Sequence, residues 1–68
     1  MNENLMLEIV GGIMEAADEL LAVGNRNDVE NGQLMAYAES LCIIQDALSG
    51  YDLKKYGLDF DVDAKYLK

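Results

Sequence analysis

The sequence predicts an all-α fold: an antiparallel two-helix hairpin with a short C-terminal arm, pairing with a second copy into a four-helix bundle. Residues 5–23 place apolar side chains at helical spacing over an arc of about 200°, about twice the usual core-facing stripe. A short turn separates them from a second amphipathic stretch of similar length. The 68-residue chain has one Cys and no His, which excludes an intrachain disulfide and the common zinc sites. Oligomerisation therefore remains as the way to stabilise so small a domain.

The first helix is predicted over residues 4–23. Asn2 or Asn4 is suited to cap its start, and Gly24 with Asn25 to end it in the left-handed conformation. Its apolar arc is too wide for one neighbouring helix to bury. We therefore expect a second copy or another protein to cover the excess.

The second helix is predicted over residues 28–48. Asn27 and Glu30 have the spacing of a capping box at its start, and Ser49 and Gly50 provide its stop. The two helices are closely matched in length, which is typical of a helical hairpin.

The hairpin is assigned to residues 1–50, and residues 51–68 form an arm of the same domain. Each helix contributes apolar side chains to the predicted core and dimer contacts. They are Met6, Ile9, Val10, Ile13, Ala17 and Leu20 in the first helix, and Leu34, Tyr37, Leu41, Ile44 and Leu48 in the second.

Five residues depart from this simple pattern of apolar and polar sides. Asn31 and Gln45 lie within the apolar side of the second helix, either at a solvated edge or in an interhelical hydrogen bond that fixes register. Ile43 lies on the polar side and is a candidate contact for a partner. The pair Gly11-Gly12 is either tolerated in the first helix or marks close approach of another backbone.

The arm holds four of the five aromatic residues of the chain. Asp52 and Gly57 bound one predicted helical turn. Residues 58–63 alternate apolar and acidic side chains, which predicts an extended or strand-like segment. We expect the arm to lay its aromatic side over the hairpin, its own or that of a second copy. Pairing as an edge strand with a partner protein is the alternative.

The net charge of −8 belongs to the first fifty residues, because the arm balances four Asp against four Lys. A chain of this sign repels the phosphates of nucleic acids and anionic membranes, so we expect neither as a direct partner. The back of the first helix carries Glu8, Glu15, Asp18 and Glu19 with no Lys beside them. These acids either solvate the surface or bind a basic protein surface, in the sharpest case a nucleic-acid-binding groove.

Catalytic groups are scarce in this inventory. No His is present as a base, and Ser40 and Ser49 lack an activating neighbour. Cys42 lies on the apolar flank of a helix without a cation to lower its pKa, so it is interpreted as a small core side chain. We expect a non-enzymatic protein without cofactors.

Three aspartates in the arm invite comparison with a calcium-binding loop. Asp59, Asp61 and Asp63 have the D-x-D-x-D spacing, but Ala64 occupies the position where the loop needs glycine, and no bidentate Glu follows. No metal site is predicted.

Targeting signals are not evident in the sequence. The first residues, MNENLMLE, carry acids and amides where a secretory signal carries basic residues. Acidic residues interrupt the longest apolar segment, and the lone thiol suits a reducing compartment. We expect a cytoplasmic protein.

Residues 32–67 combine an Ala-Tyr-Ala-Glu helix with a Gly-Tyr-Asp and Leu-Asp-Phe-Asp tail. This half of the chain resembles small uncharacterised accessory proteins of bacterial phages and conjugative elements, whose motifs have no assigned chemistry. The resemblance implies a mobile-element setting. Together with the residues, it favours an acidic inhibitor or adaptor that masks a basic surface. The alternatives are a purely structural self-assembling protein and a small-molecule or metal binder in the bundle core.

Overall fold

The structure, a computed structural model, describes residues 2–67. Regular structure in this range is entirely helical: α1 (Glu3–Leu21), α2 (Asp28–Ala47), a 3₁₀ turn (Leu53–Tyr56) and α3 (Val62–Tyr66). The start of α1 lies beside the end of α2, where Met6 and Leu48 line one cleft. The predicted antiparallel hairpin is confirmed, with helix limits within two residues of expectation.

The N-terminus of α1 is capped as predicted, by Asn2. Its side-chain oxygen accepts a hydrogen bond from the Leu5 amide at 2.7 Å. The helix stops at Leu21, and the predicted glycine cap is wrong, because Gly24 does not adopt the left-handed conformation.

Arg26 takes over the role that the sequence assigned to this glycine. One guanidinium nitrogen donates to the carbonyls of Leu20, Leu21 and Val23 at 3.2–3.3 Å. The Nε atom donates to Asn31 Oδ1 of α2 at 3.0 Å. The cation therefore satisfies carbonyls at the negative end of the α1 dipole and ties the turn to the next helix.

The capping box of α2 is confirmed. The Asn27 side chain accepts from the Glu30 amide at 2.8 Å, and the Glu30 carboxylate accepts from the Asn27 amide at 3.1 Å. The helix ends at Ala47. Gly50, with a φ of +92°, then makes the sharp turn into the arm, a conformation that favours glycine.

The core combines the hairpin with the arm. Among the predicted core residues, Val10, Ala17, Leu34, Leu41 and Leu48 are buried, and Met6, Ile13, Leu20, Tyr37 and Ile44 are partly buried against them. Ile9 remains 38% exposed. The buried residues that the sequence did not assign to the core are Ala38, Leu58, Val62 and Tyr66.

The first part of the arm follows the sequence prediction. Asp52 accepts from the Lys54 amide at 3.2 Å, and Gly57, with a φ of +73°, ends the 3₁₀ turn. The predicted strand-like segment is wrong, because Asp61 accepts from the Ala64 amide at 3.1 Å and starts α3. The capping signal at Asp61 outweighs the alternating pattern, which spans too few residues to specify a strand.

The arm lies on its own hairpin. Leu58, Val62 and Tyr66 are each at most 2% exposed, and α3 packs against α2. No helix between residues 2 and 67 combines the length and the apolar character needed to cross a bilayer.

Candidate protein-interaction surface

The arm is fastened to α1 at Asp18. The Tyr66 hydroxyl donates to Asp18 Oδ1 at 2.7 Å, and Lys65 Nζ lies 3.2 Å from the same oxygen. The Lys65 ammonium also lies 5.2 Å from the Phe60 ring centroid and 4.9 Å from that of Tyr66. The expectation that no Lys stands beside the acids of the first helix is therefore wrong for Asp18.

These contacts shift the pKa values of both partners. The Tyr66 hydrogen bond holds the pKa of Asp18 below its usual value, against a smaller opposing effect of burial, and Lys65 lowers it further. Burial raises the pKa of Tyr66, and the hydrogen bond to Asp18 adds to this. At neutral pH, Asp18 is therefore ionised and Tyr66 is protonated.

The remaining predicted acids, Glu8, Glu15 and Glu19, form an exposed row along α1, here called the acidic row. No side-chain hydrogen bond or ion pair to them occurs within residues 2–67. Gly11 and Gly12 lie beside the row. A Cβ atom added at either glycine would have no heavy atom within 4 Å, so no backbone of the described chain approaches them.

Three of the basic residues within the described part of the chain are engaged elsewhere, and Lys54 makes no ion pair with the acidic row. Lys55 pairs with Glu3 at 2.9 Å, Lys65 pairs with Asp18, and Arg26 caps α1. The acidic row is therefore left without a compensating charge from the rest of the described chain.

A second exposed surface runs along α1 next to the acidic row, extends to Val23 just beyond the helix end, and is here called the apolar strip. Leu5, Ile9 and Val23 are 43%, 38% and 37% exposed. Ile13 and Leu20 lie half-buried between them. Ile9 is nine residues from Asp18, about 180° around the helix, so the strip faces away from the arm.

Exposed apolar residues also occur on α2, where Val29 and Ile43 lie on one side of the helix and Met35 on another. Val29, Met35 and Ile43 are 70%, 51% and 68% exposed. Ile43 is exposed on the polar side, where the sequence placed it, and its contact with a partner stays a prediction.

The polar residues on the apolar side of α2 serve the intrachain structure. Gln45 donates to the carbonyls of Leu58 and Phe60 at 2.9 Å each, so it lies neither at a solvated edge nor in an interhelical hydrogen bond. Asn31 accepts from Arg26. Sequence reasoning missed both roles, because they depend on side chains distant in sequence or on a loop conformation.

Cys42 is half-buried, with Sγ 3.9 Å from Asp63 Oδ1. Burial raises the pKa of this thiol, and the negative charge of Asp63 raises it further. The thiol therefore stays protonated at neutral pH.

An open cleft of about 660 Å³ lies between the end of α2 and the arm. Tyr51 and Phe60 line it together with Asp46, Asp59 and Asp61. Within residues 2–67 no group of three His, Cys, Asp or Glu side chains is arranged to hold a metal ion.

Comparison with known proteins gives no family assignment. No protein-family model, curated protein or solved structure matches the chain.

Proposed function

We propose that the protein is a non-enzymatic interaction module whose acidic row on α1 binds a basic protein surface. The supporting observation is that Glu8, Glu15 and Glu19 have no side-chain partner among residues 2–67, while Lys55 and Lys65 are paired elsewhere. The exposed carboxylates share one side of a rigid helix and present a continuous negative field. Long Lys or Arg side chains can approach between them, because Gly11 and Gly12 add no bulk.

Masking of a nucleic-acid-binding groove is the sharpest form of this proposal. A row of carboxylates offers a basic groove the same sign of charge as a phosphate backbone, and electrostatic attraction accelerates the encounter. In the mobile-element setting that the resemblance implies, the protein acts as an inhibitor or adaptor of a host protein.

The test is capture of a basic protein from lysate on immobilised wild-type protein. Raising the ionic strength from about 0.1 M to about 1 M shortens the screening length from about 10 Å to about 3 Å, so captured protein should fall steeply. Glu15→Gln with Glu19→Gln should lower capture at low salt. Glu39→Gln with Asp46→Asn removes the same charge from α2 and is the matched control.

Capture that withstands both high salt and the Glu15 and Glu19 substitutions would contradict the proposal. An equal loss in the α2 control would point to net charge and not to the acidic row.

Self-assembly is the second candidate function, and the apolar strip supports it. Leu5 and Ile9 on α1, and Val23 just beyond its end, stay more than one-third exposed. In this alternative two hairpins bury their strips against each other as a four-helix bundle. Light scattering at low micromolar concentration tests it, and a well-folded monomer would contradict it.

A further inference from the structure

The apolar strip and the acidic row lie side by side on α1. Glu8 follows Leu5 by three residues, which makes the two side chains neighbours on the helix surface. Glu19 precedes Val23 by four residues across the end of α1 at Leu21. The carboxylates therefore border the strip on the side away from the hairpin core. Two features that the sequence suggested for different partners form one composite surface.

We propose that this composite surface binds a basic amphipathic helix of a partner protein. The partner helix lays its apolar stripe along Leu5, Ile9 and Val23 and places Lys or Arg side chains against the acidic row. This inference rests on the proposed function and names the structure of the basic partner. Recognition of an amphipathic helix by an apolar surface with charges of opposite sign at its rim is a general mode of peptide binding.

The length of the surface sets the length of the partner. Residues 5–21 rise about 24 Å along α1 at about 1.5 Å per residue, and Val23 extends the surface just beyond the helix end. A partner helix of about 18 residues, or five turns, covers this distance. Leu5, Ile9 and the half-buried Ile13 follow one another at spacings of four, the spacing of a helix ridge that packs into the groove of another helix.

Charge favours such a partner over a second copy of this chain. A second copy also carries a net charge of −8 and the same glutamates beside its own strip. Among residues 2–67, Arg26, Lys55 and Lys65 are held by intrachain contacts, and Lys54 alone does not make a basic face. Two strips in contact would bring carboxylates towards carboxylates, whereas a basic helix neutralises them.

The probe is a fluorescently labelled peptide of about 18 residues, built from Leu and Lys with Leu on one helical face. Two control peptides are a scrambled Leu/Lys peptide of the same composition and an amphipathic Leu/Glu peptide. Fluorescence anisotropy at about 0.1 M salt should show binding of the amphipathic basic peptide at least about tenfold tighter than of the scrambled one. The Leu/Glu peptide should not bind.

Two pairs of variants separate the contributions of the strip and the row. Ile9→Ser removes an apolar contact, and covering the exposed two-fifths of Ile9 corresponds to about fivefold in affinity. Val29→Ser, at a more exposed position on α2, should leave affinity unchanged. Glu15→Gln with Glu19→Gln should weaken binding about fivefold at low salt and much less at high salt. The control variant Glu39→Gln with Asp46→Asn on α2 should not weaken binding of the peptide.

The outcomes distinguish this inference from the function on which it rests. In one outcome, the scrambled peptide binds as tightly as the amphipathic one, with binding weakened by the Glu15 and Glu19 substitutions but not by Ile9→Ser. That result supports the acidic interaction surface and overturns the inference of a partner helix. A dimer that dissociates on Ile9→Ser and does not bind the peptide assigns the strip to a second copy, which also overturns it. Loss of binding in Val29→Ser equal to that in Ile9→Ser would place the peptide outside the composite surface and overturn the inference as well.

Discussion

Replacing Tyr66 by Phe should destabilise the protein by about 1 kcal/mol without opening its core. The ring is 2% exposed and stays in place, so the change removes only the 2.7 Å hydrogen bond to Asp18. A hydrogen bond to a charged group contributes about 1.5–3 kcal/mol. Because the Asp18 side chain is 49% exposed, solvent screening reduces this to about 1 kcal/mol.

Urea denaturation followed by far-ultraviolet circular dichroism measures the change. In a domain of this size, 1 kcal/mol corresponds to about 4–8 °C in melting temperature. Tyr51→Phe is the matched control, since Tyr51 is 70% exposed and its hydroxyl has no hydrogen bond to residues 2–67. It should melt like the wild type.

The pH dependence gives this prediction a second test. The folded-state pKa of Asp18 is depressed below its ordinary 3.8, so its contribution is present above that value and is lost as the pH falls through the folded pKa. The difference in the free energy of unfolding between wild type and Tyr66→Phe should therefore be constant near neutral pH and shrink below pH 3.8. A difference that is absent at pH 7, or that grows in acid, would refute the assigned hydrogen bond.

Two further substitutions test the contacts that close the fold. Arg26→Met keeps the aliphatic stem but removes the donors to the end of α1, and should lower the free energy of unfolding in urea by about 1 kcal/mol. Asn25→Ala is the control, and an unchanged midpoint for Arg26→Met would contradict the capping role. Gln45→Met leaves the Leu58 and Phe60 carbonyls without their donor and should lower the free energy of unfolding by about 2 kcal/mol. Amide exchange should become faster in the arm than in the hairpin. Gln33→Met is the control, and exchange that is equally fast in arm and hairpin would contradict the role of Gln45.

The hairpin was predictable because its signals are local. The caps Asn2, Asn27 and Glu30 act within three residues of their partners, and the apolar spacing of both helices is regular. The cap at the end of α1 was mispredicted because the capping group comes from Arg26, up to six residues beyond the carbonyls it satisfies. A glycine in a turn is a frequent helix stop, but a guanidinium can serve the same carbonyls.

The arm was predictable only in part. Its position on the hairpin followed from its aromatic content, but its second half is a helix and not an extended segment. The acidic row was found as a pattern, except that Asp18 is bound by a residue 48 positions away. Composition gave no sign of that pairing. The border between the apolar strip and the acidic row became visible only once burial separated exposed from buried apolar residues of α1.

The path of the chain also sets an order of folding. Docking of Tyr66 on Asp18 before the hairpin exists closes a loop of 48 residues, whereas afterwards only residues 48–61 link α2 to α3. Loop-closure entropy makes the second route cheaper by about 1 kcal/mol. The hairpin should therefore dominate the transition state, and substitutions at Tyr66 should accelerate unfolding while leaving the folding rate almost unchanged. Once docked, the arm therefore slows the unfolding of a hairpin that has already formed.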